Sequence, residues 1–182
     1  MLDLKALVAE TIFSPAQAGR RLLDMQLGRE AVISMFALSL VCATILEIVQ
    51  RLIVPLPEAV MAVGVSPITY VFFVGGMQLA GVAAMAGIGR WLGGQGGLQD
   101  LLGLQSWLAL VTLIFQVFSL GLLFASPLLA VLLNVAVVAY GFFVALHFVN
   151  VAHGFDSLVK SFGVVAMSAC AVAMALLFLS GF

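Results

Sequence analysis

The amino-acid sequence predicts an all-α polytopic membrane protein, a bundle of five transmembrane helices preceded by an N-terminal interfacial amphipathic helical segment. Of its 182 residues, 64% belong to the hydrophobic set and 8% are charged, with a mean hydropathy of +1.27. Water-soluble domains run near half apolar and a quarter charged, so the surplus here has to face lipid. The apolar runs are unbroken over about 20 residues, the length that crosses a hydrocarbon core as helix. Barrel strands would instead alternate in polarity over about ten residues. Finally, Ser-Pro recurs at Ser14-Pro15, Ser66-Pro67 and Ser126-Pro127. Serine caps free amides at a helix start, and proline at the first helical position gives up a donor that has no partner there.

The first thirty residues form the N-terminal segment (1–30). Leu4, Leu7, Val8 and Ile12 repeat at helical spacing, followed by Ala18, Leu22 and Met25, with Arg20, Arg21 and Asp24 supplying polar character. Such helices lie in the interface plane or pack on the ends of the spans. The segment carries too many charges for a secretory signal peptide. The remainder, 31–182, is one transmembrane domain.

The first span runs from Ala31 to Val54. Its uninterrupted apolar part ends at Leu46, so Glu47, Gln50 and Arg51 lie near or within the membrane, and Pro55-Leu56-Pro57 closes it. The second span, Ile68 to Trp91, presents Gly76, Ala80 and Ala84, with Ala83 and Gly87 beside them, a small-residue spacing that permits close backbone approach. Gly93-Gly94-Gln95-Gly96-Gly97 separates it from the third, Leu101 to Phe124. The fourth runs from Leu128 to Val151 and stops at Gly154; Asp156 or Ser157 caps the fifth, Leu158 to Phe178. No internal repeat is found.

Orientation follows from the cations. With the N-terminus inside, Lys5, Arg20, Arg21, Arg29, Arg90 and Lys160 fall on the cytoplasmic side and Arg51 alone on the outside. The bacterial cytoplasmic (inner) membrane is the expected location.

Ionisable groups within a bilayer are costly and are functional hypotheses by default. Glu47 stands about 24 Å up the first span, close in depth to Gln116 and Asn134, and precedes Arg51 by the four residues of a helical ion pair. Glu47, Arg51, Gln116 and Asn134 are therefore a candidate intramembrane polar cluster, able to bind a cation, relay a proton or clamp helices together. Gln105, Thr112, Gln116 and Ser119 share one stripe of the third span. At the cytoplasmic side, Arg20, Arg21, Arg90, His147, Asn150, His153 and Lys160 form a candidate rim for anionic headgroups or a partner protein.

Other chemistry finds no support. Two histidines are too few for a zinc site, and no cofactor or metal is expected. Neither H-E-x-x-H nor G-x-S-x-G occurs, the glycine loop lacks the Gly-Lys-Ser/Thr of a phosphate loop, and Asp100 and Asp156 stand at helix boundaries, so no catalytic residues are assigned. A net charge of −1 provides no nucleic-acid footprint. Cys42 and Cys170 lie inside spans and read as small buried hydrophobes.

The Ser-Pro start, the five spans, the stretch Trp91-Leu92-Gly93-Gly94-Gln95-Gly96-Gly97-Leu98-Gln99-Asp100 before the third span and His153-Gly154-Phe155-Asp156-Ser157-Leu158 before the fifth resemble the Yip family of Ypt/Rab-interacting membrane proteins, in particular its short bacterial members. The resemblance runs from Ile12 onward and implies a five-span helical fold with a cytoplasmic N-terminus. Eukaryotic members of the family are associated with vesicle trafficking and prenylated Rab GTPases through a longer N-terminal region. Only about thirty residues precede the first span here, so no Rab-type GTPase partner is expected. Membrane lipids and other integral membrane proteins, or self-association, are the expected partners. The expected role is that of a non-enzymatic membrane organiser or adaptor, with a small transporter, channel or lipid-translocating protein, or an accessory subunit of a larger complex, as alternatives.

The charge distribution yields a direct expectation: a reporter fused at Phe182 reads as external. A cytoplasmic signal there would remove one span or invert the topology.

Overall fold

A backbone in lipid has no water to bond to, so each crossing segment must satisfy its own amides along a helix and close its ends with caps. The computed structural model of the chain describes residues 3–54, 66–179 and 181. Among these, all regular structure is helical, with no strand: α1 (Leu4–Phe13), α2 (Pro15–Asp24), α3 (Arg29–Ile53), α4 (Pro67–Trp91), α5 (Leu98–Ala125), α6 (Pro127–His153) and α7 (Leu158–Leu179). Helices α3 to α7 are long and apolar enough to cross a membrane. The protein is an integral membrane protein. The Pro55-Leu56-Pro57 stop and the Phe182 terminus lie outside the described residues.

All three Ser-Pro pairs begin helices. At α4 and α6 the serine also caps: the Thr69 and Leu129 amides donate to Ser66 and Ser126 Oγ, at 3.1 and 3.5 Å. Ser14 makes no side-chain cap; it also ends α1, its amide donating to the Glu10 carbonyl. Gly154 ends α6 at φ 66°, the left-handed conformation that glycine adopts without steric cost. Ser157 Oγ accepts from the Val159 amide and opens α7.

The central helix is α5. It runs parallel to α3 and antiparallel to α6, and carries buried Leu101, Leu104, Trp107, Leu108 and Val111 in its first half. Two apolar clusters fill this half of the bundle, hereafter the glycine-loop end. One joins Leu104, Trp107 and Leu108 to Val144 and Phe148 of α6; the other joins Leu101 to Val82, Val149, Phe155 and Val164.

The N-terminal segment contributes to the first cluster. Helices α1 and α2 form a hairpin whose buried Leu7, Thr11, Ala18 and Leu22 are covered by α5 and α6. Arg21 Nη1 donates to Glu10 Oε1 at 2.6 Å across the hairpin. Near its tip, Trp107 Nε1 donates to Thr11 Oγ1 at 2.9 Å, while Thr11 Oγ1 donates to the Leu7 carbonyl. Tyr140 Oη donates to the Ile12 carbonyl, one of those an α-helix leaves free at its C-terminus. Tyr140 lies about 20 Å from His153 by helical rise. The tip of the hairpin thus lies beside the middle of α6, with the Thr11 hydroxyl and the Ile12 carbonyl bonded by α5 and α6.

The stripe of Gly76, Ala80 and Ala84 does not make the expected close approach. It lines an apolar groove of about 470 Å³ shared with Ala171, Val172 and Ala175 of α7. The close approach in this part of α4 is instead made by Gly75, where an added Cβ would lie 2.9 Å from Leu40 Cδ1.

The contact of α2 with α6 is testable by cross-linking. A Cβ at Gly19 would lie 3.7 Å from Val151 Cβ, inside the span of about 3.5–4.5 Å that a disulfide bridges. With Cys42 and Cys170 replaced by alanine, the Gly19→Cys/Val151→Cys pair is expected to oxidise to an intramolecular disulfide, read as a mobility shift reversed by reductant. A folded protein that fails to cross-link would detach α2 from α6.

Candidate functional site

Opposite the glycine-loop end the packing changes character. Between α3, α4, α5 and α6 lies a cavity of about 390 Å³ whose wall includes Ser39, Glu47, Gln50, Tyr70, Gln78, Thr112, Gln116 and Asn134. A second cavity of about 330 Å³ shares Glu47, Gln50 and Asn134 with it and adds Arg51, Val54, Ser119 and Leu123. Polar side chains lining a cavity inside a membrane bundle make it the candidate site.

The register of α5 and α6 builds this wall. Gln116 stands about 27 Å from the start of α5, and Asn134 about 28 Å from the end of α6, so the antiparallel pair brings them to one depth. Asn134 Nδ2 donates to Ser119 Oγ at 2.7 Å and to the Ala130 carbonyl at 3.0 Å, and Ser119 Oγ donates to the same carbonyl. Both amide protons of Asn134 are thereby committed, and its Oδ1 is left as an acceptor. On α3, Arg51 Nε donates to Glu47 Oε1 at 2.8 Å, in the carboxylate-first order that suits a helix. Glu47 Oε2 and the Arg51 Nη groups have no hydrogen-bond partner among the described residues.

The four residues singled out in the sequence thus surround two adjoining cavities, with Glu47 and Asn134 common to both. Gln116 and Asn134 do not bond to the Glu47 carboxylate. Of the third-span stripe, Thr112 and Gln116 line the larger cavity and Ser119 clamps α6. Gln50, placed by the sequence near or within the membrane, lines both cavities, whereas Tyr70, Gln78 and Ser39 escaped the sequence reading. Their signal was a polar side chain at matching depth in a neighbouring span, which counting from the ends of α3 and α4 would have found.

At the glycine-loop end the structure takes His153 out of the cationic rim. The ring is 1% exposed and seated among Gly89, Gly94 and Gly96. Its Nδ1 accepts from the Gly96 amide at 3.0 Å, its carbonyl accepts from the Gln95 amide at 3.1 Å, and Phe155 stacks on its face. Acceptance at Nδ1 assigns the neutral ring's proton to Nε2. Other rim residues are also engaged: Arg21 with Glu10, Asn150 Oδ1 with the Ser161 hydroxyl, and Arg90 Nε with the Gly96 carbonyl at 3.3 Å. His147 packs edge-on against Phe143, and Lys160 Nζ lies 5.9 Å from the Phe155 ring centroid. Arg20, Arg90 and Lys160 remain exposed.

The glycine loop, its histidine and the helices flanking them occupy one continuous match to a family model, the Yip1 domain, over residues 9–180. The chain belongs to the Yip1 family. No curated protein and no solved structure matches it. In this Yip1 domain the stretch Trp91 to Asp100 and the stretch His153 to Leu158, distant in sequence, form one joint in which the first encloses the histidine of the second.

The joint explains its glycines. A Cβ on Gly89 would lie 2.1 Å from His153 Nε2, whereas one on Gly87 meets nothing within 4 Å. Gly89→Ala is expected to lower stability by about 1–3 kcal/mol through overpacking, measured as thermal unfolding in detergent. Gly87→Ala is expected to be neutral or slightly stabilising. Equal behaviour of the two variants would contradict the seating of His153.

Proposed function

We propose that this Yip1-family chain is a non-enzymatic membrane organiser that holds a phospholipid within its bundle, with its N-terminus cytoplasmic and its rim facing the cytoplasm. The observation that carries this reading is the blind polar cavity. The cavity wall extends toward the glycine-loop end as far as Ser39 and Ala109. Beyond them Leu101, Leu104, Trp107, Leu108 and Val149 pack the bundle, and the cavity of about 340 Å³ at the glycine-loop end, bounded by Gln26, Val32, Gln99 and Leu104, shares no lining residue with the polar one. A solute path would need polar lining through both halves. A blind pocket suits a ligand that enters and is retained.

Depth supports a lipid as that ligand. Glu47 lies about 9 Å and Gln116 about 14 Å in from the ends of α3 and α5 by helical rise, below a headgroup layer about 5–8 Å thick on each side of a bilayer. A headgroup held there is drawn toward the hydrocarbon, which alters local lipid packing. At the other end, Arg20, Arg90 and Lys160 supply positive charge for anionic headgroups or the acidic segment of a partner protein, each worth about 1 kcal/mol near an anionic surface. This is the adaptor side of the proposal.

Native mass spectrometry of the protein extracted in mild detergent tests the reading. A phospholipid adduct is expected on the wild type, and a several-fold smaller adduct on Gln116→Leu/Asn134→Leu, with thermal unfolding used to establish that the variant is folded. Equal retention by the folded variant would remove the cavity from the proposal.

A further inference from the structure

The cavity also carries information about which headgroup it takes. We infer that the paired cavities around Glu47 and Arg51 recognise a phosphoethanolamine headgroup, the primary ammonium going to Glu47 and the phosphate to Arg51; this rests on the lipid-holding reading above.

Charge balance comes first. Among the described residues, Glu47 and Arg51 are the only carboxylate and cation on the two walls, and together they sum to zero. A net-charged ligand would leave an uncompensated charge at hydrocarbon depth, whereas a zwitterion with separated charges leaves none. The two residues stand one helical turn apart on α3 and their charged groups meet at 2.8 Å, so a headgroup would bind the outer edges of the pair, its ammonium on the carboxylate side and its phosphate on the guanidinium side. Each keeps bonding capacity free, at Glu47 Oε2 and at the Arg51 Nη groups, among the described residues.

Hydrogen bonding then selects the kind of ammonium. A primary ammonium has three N–H donors to place. Glu47, Asn134 and Gln116 line one wall and offer the acceptors Oε2, Oδ1 and an amide oxygen, and Asn134 has only its acceptor left because its amide protons are bonded to Ser119 and Ala130. A quaternary ammonium has no N–H to donate and is recognised by several aromatic faces. Among the described residues, Tyr70 is the single aromatic one on these walls. Beside Arg51, Leu123 and Val54 supply apolar surface of the kind acyl chains cover, which favours a lipid over a free phosphoethanolamine.

The test uses the full chain in detergent, equilibrated with equimolar dioleoyl phosphatidylethanolamine, phosphatidylcholine and phosphatidylglycerol, with adducts counted by native mass spectrometry. The expected result is about tenfold enrichment of the ethanolamine lipid over the choline lipid, the selectivity of one charge-assisted hydrogen bond. Glu47→Gln and, independently, Asn134→Leu should erase that preference. Arg51→Gln should weaken both zwitterionic lipids several-fold without changing their ratio. Retention of all three lipids alike would overturn the headgroup assignment while leaving the lipid-holding reading intact. No retained lipid would overturn both. Displacement of the bound lipid by excess soluble phosphoethanolamine would overturn its assignment to a lipid.

Discussion

The structure turns on the seating of one histidine among three glycines. Gly89, Gly94 and Gly96 leave a space the size of an imidazole, and His153 fills it while bonding the Gly96 amide through Nδ1 and the Gln95 amide through its own carbonyl. That joint ties the end of α6 to the loop that starts α5. Because α5 and α6 have nearly equal lengths and are joined at their far ends through Ser126, fixing one end fixes the register along the whole pair. Ser119 then meets Asn134, Thr112 lies against Gly141, and the buried Trp107 faces the hairpin. An imidazole held through Nδ1 and packed on its face by Phe155 is a rigid spacer, and side chains at the three glycines would compete for the same volume.

From that register the two halves of the bundle diverge. Near the joint, leucine, valine and aromatic side chains interdigitate, and the α1–α2 hairpin adds a further layer whose tip would be intolerable in lipid without donors from Trp107 and Tyr140. Away from it, α3 and α4 line cavities with α5 and α6, and the facing side chains are carboxylate, guanidinium, amide and phenol. Helix association in a membrane gains little from apolar contact alone, since lipid tails are equally apolar, and polar pairs such as Asn134 with Ser119 hold this half together at modest strength. The same polar groups can serve a ligand, so the clamp and the pocket are built from one set of residues.

Much of the fold was legible in the sequence because lipid enforces it. The five spans agree with α3 to α7 within three residues, since length, proline and glycine set helix ends in a membrane more strictly than in water. The cluster of Glu47, Arg51, Gln116 and Asn134 was legible for the same reason: with helices crossing a layer of fixed thickness, position along the chain converts to depth. What the sequence hid is rotational. Spans that are apolar all round give no periodic signal for which face turns inward, so Gly75 rather than Gly76 being buried could not be read. The burial of His153 was hidden too, because a histidine between Asn150 and Asp156 at a helix end reads as solvated until the glycine loop is folded over it. The insertion of the hairpin tip beside Tyr140 depends on two hydrogen bonds from distant helices, which no local pattern records.

The central claim is that the polar pocket is blind, separated from the glycine-loop end by packed apolar side chains. Accessibility along α5 tests it most directly. Single cysteines placed at Leu104, Val111 and Gln116, with Cys42 and Cys170 replaced by alanine, are to be treated with a charged, membrane-impermeant thiol reagent in lipid-depleted protein reconstituted in a single orientation. The account predicts labelling at Gln116 from the side opposite the glycine loop and protection of Leu104 and Val111 from that side. Labelling at all three positions from that side would reveal a continuous path, and protection at Gln116 would show that the pocket is closed; either result contradicts the account.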